Sequence, residues 1–113
     1  MKRGEIWTLA GGGDYARKPR PAVVIQEDSF DRTASIVVCT FTTTAVDAPL
    51  YRIAVNQSPS NGLREASSIM VDKIAGVPRD KLGKRIGVLE REHLDRLDQA
   101  LLVFLGLTTA SSA

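Results

Sequence analysis

Two stretches gather residues that could do chemistry. "RKPRPAVVIQ" (17–26) sets three cations and two prolines directly before an apolar, β-branched run. "TFTTT" (40–44) crowds hydroxyls at the end of another such run. Arg20 stands between Pro19 and Pro21, which restrict the backbone locally. A guanidinium fixed at a strand mouth suits a phosphate, because its planar fork matches two phosphate oxygens at once. Ionised groups are costly to bury, so this charge is expected at the edge of the core, aimed outward at an anion. Hydroxyls beside that cation would make a usable phosphate site, although a threonine run also reads simply as β-propensity.

Other chemistries are poorly supplied. His93 is the only histidine and Cys39 the only cysteine, so a zinc site built from those ligands is not available. A Ser-His-Asp arrangement would have to use His93, which stands among charged residues. "GGGDYARK" (11–18) is glycine-rich but lacks the phosphate-loop spacing and a following helix. No metal or cofactor is therefore expected. Cys39 lies in "SIVVCTF" and reads as a small core residue.

The elements that must hold Arg20 and the threonines are short. "EIWTLA" (5–10), "PAVVIQ" (21–26), "ASIVVCTFTT" (34–43), "YRIAVN" (51–56), "SSIMVDKIAGV" (67–77) and "KRIGVL" (84–89) read as strands. "SPSNGLREA" (58–66) contains Asn-Gly, a strong turn signal. In "EREHLDRLDQALLVFLGL" (90–107) the period changes: Leu94, Leu97, Leu101, Phe104 and Leu105 share one helix face, and Gly106 marks the stop. No Ser, Thr, Asp or Asn caps its start. "TTASSA" (108–113) is expected to be a disordered tail. The strands are too closely spaced for parallel crossovers. The expected fold is mainly β within the α+β class: one domain over 1–107, a small curved antiparallel barrel with the helix packed on it.

Of 113 residues, 43% are hydrophobic and 25% charged, which fits one ordinary domain with its own core. There is no run long and apolar enough for a transmembrane helix, and the N-terminus lacks the apolar stretch of a signal peptide, so a cytoplasmic location is expected. The net charge of +2 says little. Its distribution says more: Lys2, Arg3, Arg17, Lys18 and Arg20 form one basic cluster, and Arg79, Lys81, Lys84 and Arg85 another. Such patches point to an anionic partner or, more plainly, to solvated surface.

At this point the chain resembles a known family. "MKRGEIW", "RPAVVI", the strand ending "TFTT", "SSIMVDK" and "GVLEREHLDRLDQALLVFLGL" follow the order and spacing of the MazF/PemK (Kid) toxins of toxin–antitoxin pairs, over about residues 2–107. The resemblance implies an SH3-like barrel with a C-terminal helix, working as a homodimer. It implies a metal-independent endoribonuclease that cuts single-stranded RNA at short sequence motifs. The RNA's own 2′-hydroxyl attacks the adjacent phosphate and leaves 2′,3′-cyclic phosphate and 5′-hydroxyl ends. Arg20 matches the catalytic arginine, and Thr42 the catalytic threonine, with Thr43 one register step away. Asp72 matches the acid that closes the "VDK" motif, beside Lys73. Some members carry an arginine two positions before that acid, where this chain has Met70.

On this reading Arg20 stabilises charge developing at phosphorus, and Thr42 holds the scissile phosphate. The general base is not identifiable among Asp14, Glu5 and Asp72. Arg17 and Lys18 would contact backbone phosphates, while Tyr15 or Trp7 would stack on bases, Trp7 being the more natural core residue. Asp14 takes the place of an acid that family loops often carry. A cognate antitoxin is expected to lay a flexible acidic, apolar segment over the same groove. Leu101, Leu102, Phe104 and Leu105 read first as core and alternatively as a dimer surface. Two rival readings share the fold class: a non-catalytic poison of gyrase (the CcdB type) and a nucleic-acid-binding barrel without chemistry. The first is expected to end in a tryptophan-bearing segment, and this chain ends "GLTTASSA".

Overall fold

The computed structural model describes residues 1–10 and 19–109. Six strands run in chain order: β1 (Glu5–Leu9), β2 (Arg20–Val24), β3 (Ser35–Thr42), β4 (Arg52–Val55), β5 (Ser67–Pro78) and β6 (Leu82–Val88). A single helix, α1 (Arg91–Phe104), follows. Short 3-10 turns occupy Asp28–Phe30 and Arg79–Lys81, where the sequence shows turn material. The strands form one antiparallel sheet in the order β4-β5-β3-β2-β1-β6. The antiparallel, helix-capped fold is thus as expected. The sheet has edges at β4 and β6 rather than a closed ring of ladders. Part of the gap is bridged by the 56–66 connection, whose Ser60 carbonyl accepts the Val88 amide at 2.9 Å.

The unbroken apolar runs now have a cause. Side chains of a strand alternate between faces, and β2 and β3 are buried on both. Val23, Cys39 and Phe41 join the main core with Ile6, Ile69 and Leu97. Ala22, Val24, Ile36 and Val38 join a second cluster on the other face, where Trp7 and Leu9 pack. Trp7 is therefore a packing residue, and its indole N–H donates to Glu5 at 3.1 Å. Cys39 is fully buried, and burial pushes its thiol up to about 12, with Asp72 adding to the shift. The edge strand β4 shows clean alternation, Ile53 and Val55 inward, Ala54 outward.

The helix buries Leu97, Ala100 and Leu101. Leu102, Phe104 and Leu105 are exposed, so the core reading of the helix end holds for Leu101 alone. The uncapped start is compensated from outside. Glu90 precedes the first turn without a side-chain capping bond, and its carboxylate instead accepts from the Ser58 hydroxyl and from Asn61 Nδ2.

Much of the basic charge is structural. Arg3 donates to the Ile25 carbonyl at 2.8 Å and pairs with Asp98 on α1. Gly4 beside it has φ +89°, with the Leu94 side chain 3.4 Å from where a Cβ would lie. Arg79 donates to the carbonyls of Asp31 and Thr33. Arg85 pairs with Glu5 at 3.5 Å. Among the described residues no helix is long and apolar enough to cross a membrane.

Candidate active site

Arg20 opens β2 opposite Leu9 of β1. The β2–β3 ladder pairs Ala22 with Thr40, and carrying that register outward by two residues brings Arg20 and Thr42 to the same end of the sheet. The two line one open cleft of about 1160 Å³, with Thr43 and Thr44 beside them. Residues 62–65 of the β4–β5 connection line it too, as does Ser67 at the start of β5. The core ends here at Phe41 and Leu63, which are buried, while Arg20 is exposed. The charge therefore sits where desolvation is not required.

Thr42 is half-buried at the end of β3, and its hydroxyl oxygen accepts the Thr44 amide at 3.1 Å. A hydroxyl that accepts this bond still has its proton to donate. This small turn orients Thr42 and leaves Thr43 exposed at the bend. Among the described residues the Arg20 guanidinium has no hydrogen-bond or ion-pair partner in the structure, unlike Arg3, Arg52 and Arg79.

The carboxylates expected to serve this site are placed differently. Asp72 and Lys73 do not line the cleft. Between the pairs Cys39–Ile74 and Phe41–Ile69, β3 advances two residues while β5 advances five, so β5 bulges there. Asp72 lies in that bulge and takes a two-point contact from Arg52, at 2.9 and 3.1 Å. Those hydrogen bonds hold its carboxyl below the usual aspartate range. Glu5 is also engaged. Burial pushes its carboxyl up, but hydrogen bonds from the Lys2 amide and Trp7 indole, with the Arg85 charge, bring it below its ordinary value. Asp14, Tyr15, Arg17 and Lys18 fall in 11–18, outside the described residues, as do 110–113 of the expected tail.

Several cleft residues escaped sequence reasoning. Arg64 and Glu65 follow the Asn-Gly turn signal and line the same cleft as Arg20 and Thr42. Thr8 and Ile86 contribute from β1 and β6. Thr8 Oγ1 already accepts the Lys84 amide at 2.9 Å, which ties those strands together. The signal for Arg64 and Glu65 is a charged pair one residue after Asn61-Gly62, within a stretch that otherwise reads as turn material.

The comparisons agree with this architecture. A family model described as PemK-like, MazF-like toxin of type II toxin-antitoxin system matches residues 2–105. A probable endoribonuclease MazF of Mycolicibacterium smegmatis is 50% identical over 107 residues, covering 95% of this chain and 98% of the relative. Endoribonuclease MazF9 of Mycobacterium tuberculosis is 30% identical over 115 residues, with coverage of 95% and 98%. Among solved structures, an endoribonuclease in complex with its cognate antitoxin from a mycobacterial species superposes with a TM-score of 0.77 at 23% identity, covering 97% of this chain and 99% of that one. A MazE–MazF structure from Deinococcus radiodurans gives 0.77 at 16% identity, covering 96% and 98%. Those two likenesses speak to the fold; the family follows from the sequence match across nearly the whole chain. This chain belongs to the PemK-like, MazF-like toxins of type II toxin–antitoxin systems.

Proposed function

We propose that the chain is a toxin acting as an endoribonuclease, and that the cleft holding Arg20 and Thr42 is where single-stranded RNA is cut. The observation that carries the reading is the meeting, at one strand-end cleft, of a guanidinium that has no partner among the described residues and an oriented hydroxyl. The substrate supplies the nucleophile. The 2′-oxygen attacks phosphorus as its proton leaves, the bond from phosphorus to the 5′-oxygen breaks, and that oxygen takes up a proton, so the products are a 2′,3′-cyclic phosphate and a 5′-hydroxyl. Arg20 offers a two-pronged contact to non-bridging oxygens as negative charge grows on them. A guanidinium's planar fork suits stabilisation of the phosphate rather than proton transfer. Thr42 donates its proton to the same phosphate and fixes its position. DNA would bind less well and would not be cut, because it lacks the attacking hydroxyl. Metal-independence and short-motif specificity belong to the same reading.

The toxin is proposed to act in the cytoplasm as a homodimer, held in check by an antitoxin segment covering the cleft. Exposed Leu102, Phe104, Leu105 and Leu107 at the end of α1 give apolar surface for a second copy. A mycobacterial structural neighbour is described as an endoribonuclease with its cognate antitoxin.

The test is cleavage of a long single-stranded RNA and its DNA equivalent in EDTA, by the wild type and by Arg20→Ala. Discrete cuts in RNA alone, with cyclic phosphate ends and lost in the variant, are expected. Cutting by Arg20→Ala at the wild-type rate would refute the assignment.

A further inference from the structure

The 61–65 segment, whose residues 62–65 line the same cleft as Arg20 and Thr42, is held more firmly than a plain connection requires. Gly62 has φ +70°, and a Cβ there would lie 2.0 Å from the Ile86 carbonyl oxygen, so the backbone presses directly on β6. Asn61 is fully buried, and its side-chain oxygen accepts the amides of Ser58 and Leu63 at 3.0 Å each. Leu63 is itself buried. Directly beyond this anchor, Arg64 and Glu65 stand exposed on the cleft. Among the described residues neither side chain has a hydrogen-bond or ion-pair partner in the structure. A pinned backbone that presents free polar side chains to a cleft is how recognition groups are held in position.

Glu65 is the carboxylate of this cleft among the described residues. Beside a phosphate-binding Arg20 it is electrostatically out of place, since an ionised carboxylate only accepts hydrogen bonds and repels phosphate. What it can take from RNA is an N–H or O–H. Base edges are where sequence is read, and in single strands those edges are open. Adenine, cytosine and guanine each present an exocyclic amino donor. Uracil presents carbonyl oxygens on both sides of its single N–H, and these repel a carboxylate.

We propose that Glu65 is a specificity residue, which accepts a hydrogen bond from the exocyclic amino group of a base lying in the cleft beside the scissile phosphate and thereby discriminates against uracil at that position. The inference rests on the ribonuclease reading above for RNA as the ligand.

The experiment compares the wild type with Glu65→Gln on a single-stranded RNA library randomised around one segment, with every cut site sequenced. In parallel, binding is measured to short oligonucleotides carrying a 2′-deoxy nucleotide at the cut position, identical except for cytosine or uracil at the discriminating position. The wild type is expected to disfavour uracil at one position by about tenfold or more, the scale of a good base contact. Glu65→Gln, whose amide can donate to a uracil carbonyl, is expected to flatten that preference in both assays. An unchanged cut-site profile and unchanged binding preference would overturn the proposal. So would a uniform loss of cutting at every site with the preference intact, which would make Glu65 a proton acceptor instead. A protein that cuts no RNA yet binds cytosine over uracil through Glu65 would refute the nuclease reading and uphold this one. A protein that neither cuts nor prefers would refute both.

Discussion

Replacing Asn61 by alanine should cost this domain far more than a loop substitution ordinarily does. The side chain is fully buried and joins three pieces of backbone to the helix start. Its oxygen accepts from Ser58 and Leu63, and its Nδ2 donates to the Asn56 carbonyl at 2.9 Å and to Glu90 at 3.1 Å. The Leu63 amide is itself buried, and stranding a buried donor costs about 1–3 kcal/mol. The bond to the Glu90 carboxylate is charge-assisted and contributes about 1.5–3 kcal/mol. The Ser58 and Asn56 groups are nearer solvent and should recover much of their loss from water. The expected destabilisation is about 3–4 kcal/mol, a drop in Tm of more than about 10 °C for a domain of this size. Urea unfolding at fixed protein concentration measures it, because association would otherwise shift the midpoint. Asn61→Asp supplies a second reading. It places a carboxylate against Glu90, so it should be less stable than Asn61→Ala at neutral pH and should gain on it as the pH falls towards 4. A loss below about 1 kcal/mol in Asn61→Ala, with Asn61→Asp equal to it at all pH values, would refute the claim that this amide organises the cleft wall.

Three further outcomes are expected. Thr42→Ser should keep most of the cleavage activity, while Thr42→Val should lose about tenfold or more, the scale of one hydrogen bond to a charged group; equal activity in the two variants would remove the hydroxyl from the mechanism. Asp72→Asn should lower stability at pH 7. The folded carboxyl lies below its unfolded value, so its contribution is complete above the unfolded pKa of about 3.9 and vanishes as the pH falls through the folded one. The gap between wild type and Asp72→Asn should therefore close below about pH 4, which unfolding curves across pH will show. Cys39, buried and with its thiol pushed up to about 12, should resist thiol reagents in the native protein and react promptly in denaturant, as timed labelling will show.

What the sequence made legible was whatever depends on period and composition. All six strands and the helix were placed to within a residue or two, because buried strands and an amphipathic helix carry different spacings. Arg20 was legible because two prolines and a change from charge to apolar residues mark the strand mouth. Other features depend on contacts between distant segments. The Arg52–Asp72 pair depends on the β4–β5 register, which sets Arg52 opposite Met70 and makes Asp72 its diagonal neighbour. Arg3 read as part of a basic patch, yet its partner Asp98 is 95 residues away. The helix start looked uncapped because Ser58 and Asn61, which engage Glu90, belong to a turn far back in the chain. The cleft wall was hidden for the same reason, since its shape comes from packing Gly62 on Ile86.

The Asn61–Gly62 pair also bears on how the molecule ages. Asn-Gly is a chemically fragile pair of neighbours, because the glycine nitrogen readily attacks the asparagine side-chain carbonyl, expels ammonia and closes a ring that water opens to aspartate or its isomer. In the folded chain that nitrogen is directed to the Ser58 carbonyl at 3.1 Å, the asparagine oxygen is occupied by two amides, and water is excluded. Folding thus works as a preservative for this bond. A chain that opens here and reacts gains a carboxylate next to Glu90 and refolds less well. Peptide mapping of protein stored folded and stored in urea should find the change accumulating at Asn61 in the second sample first. A toxin held for long periods before use would gain shelf life from a residue that never touches its substrate.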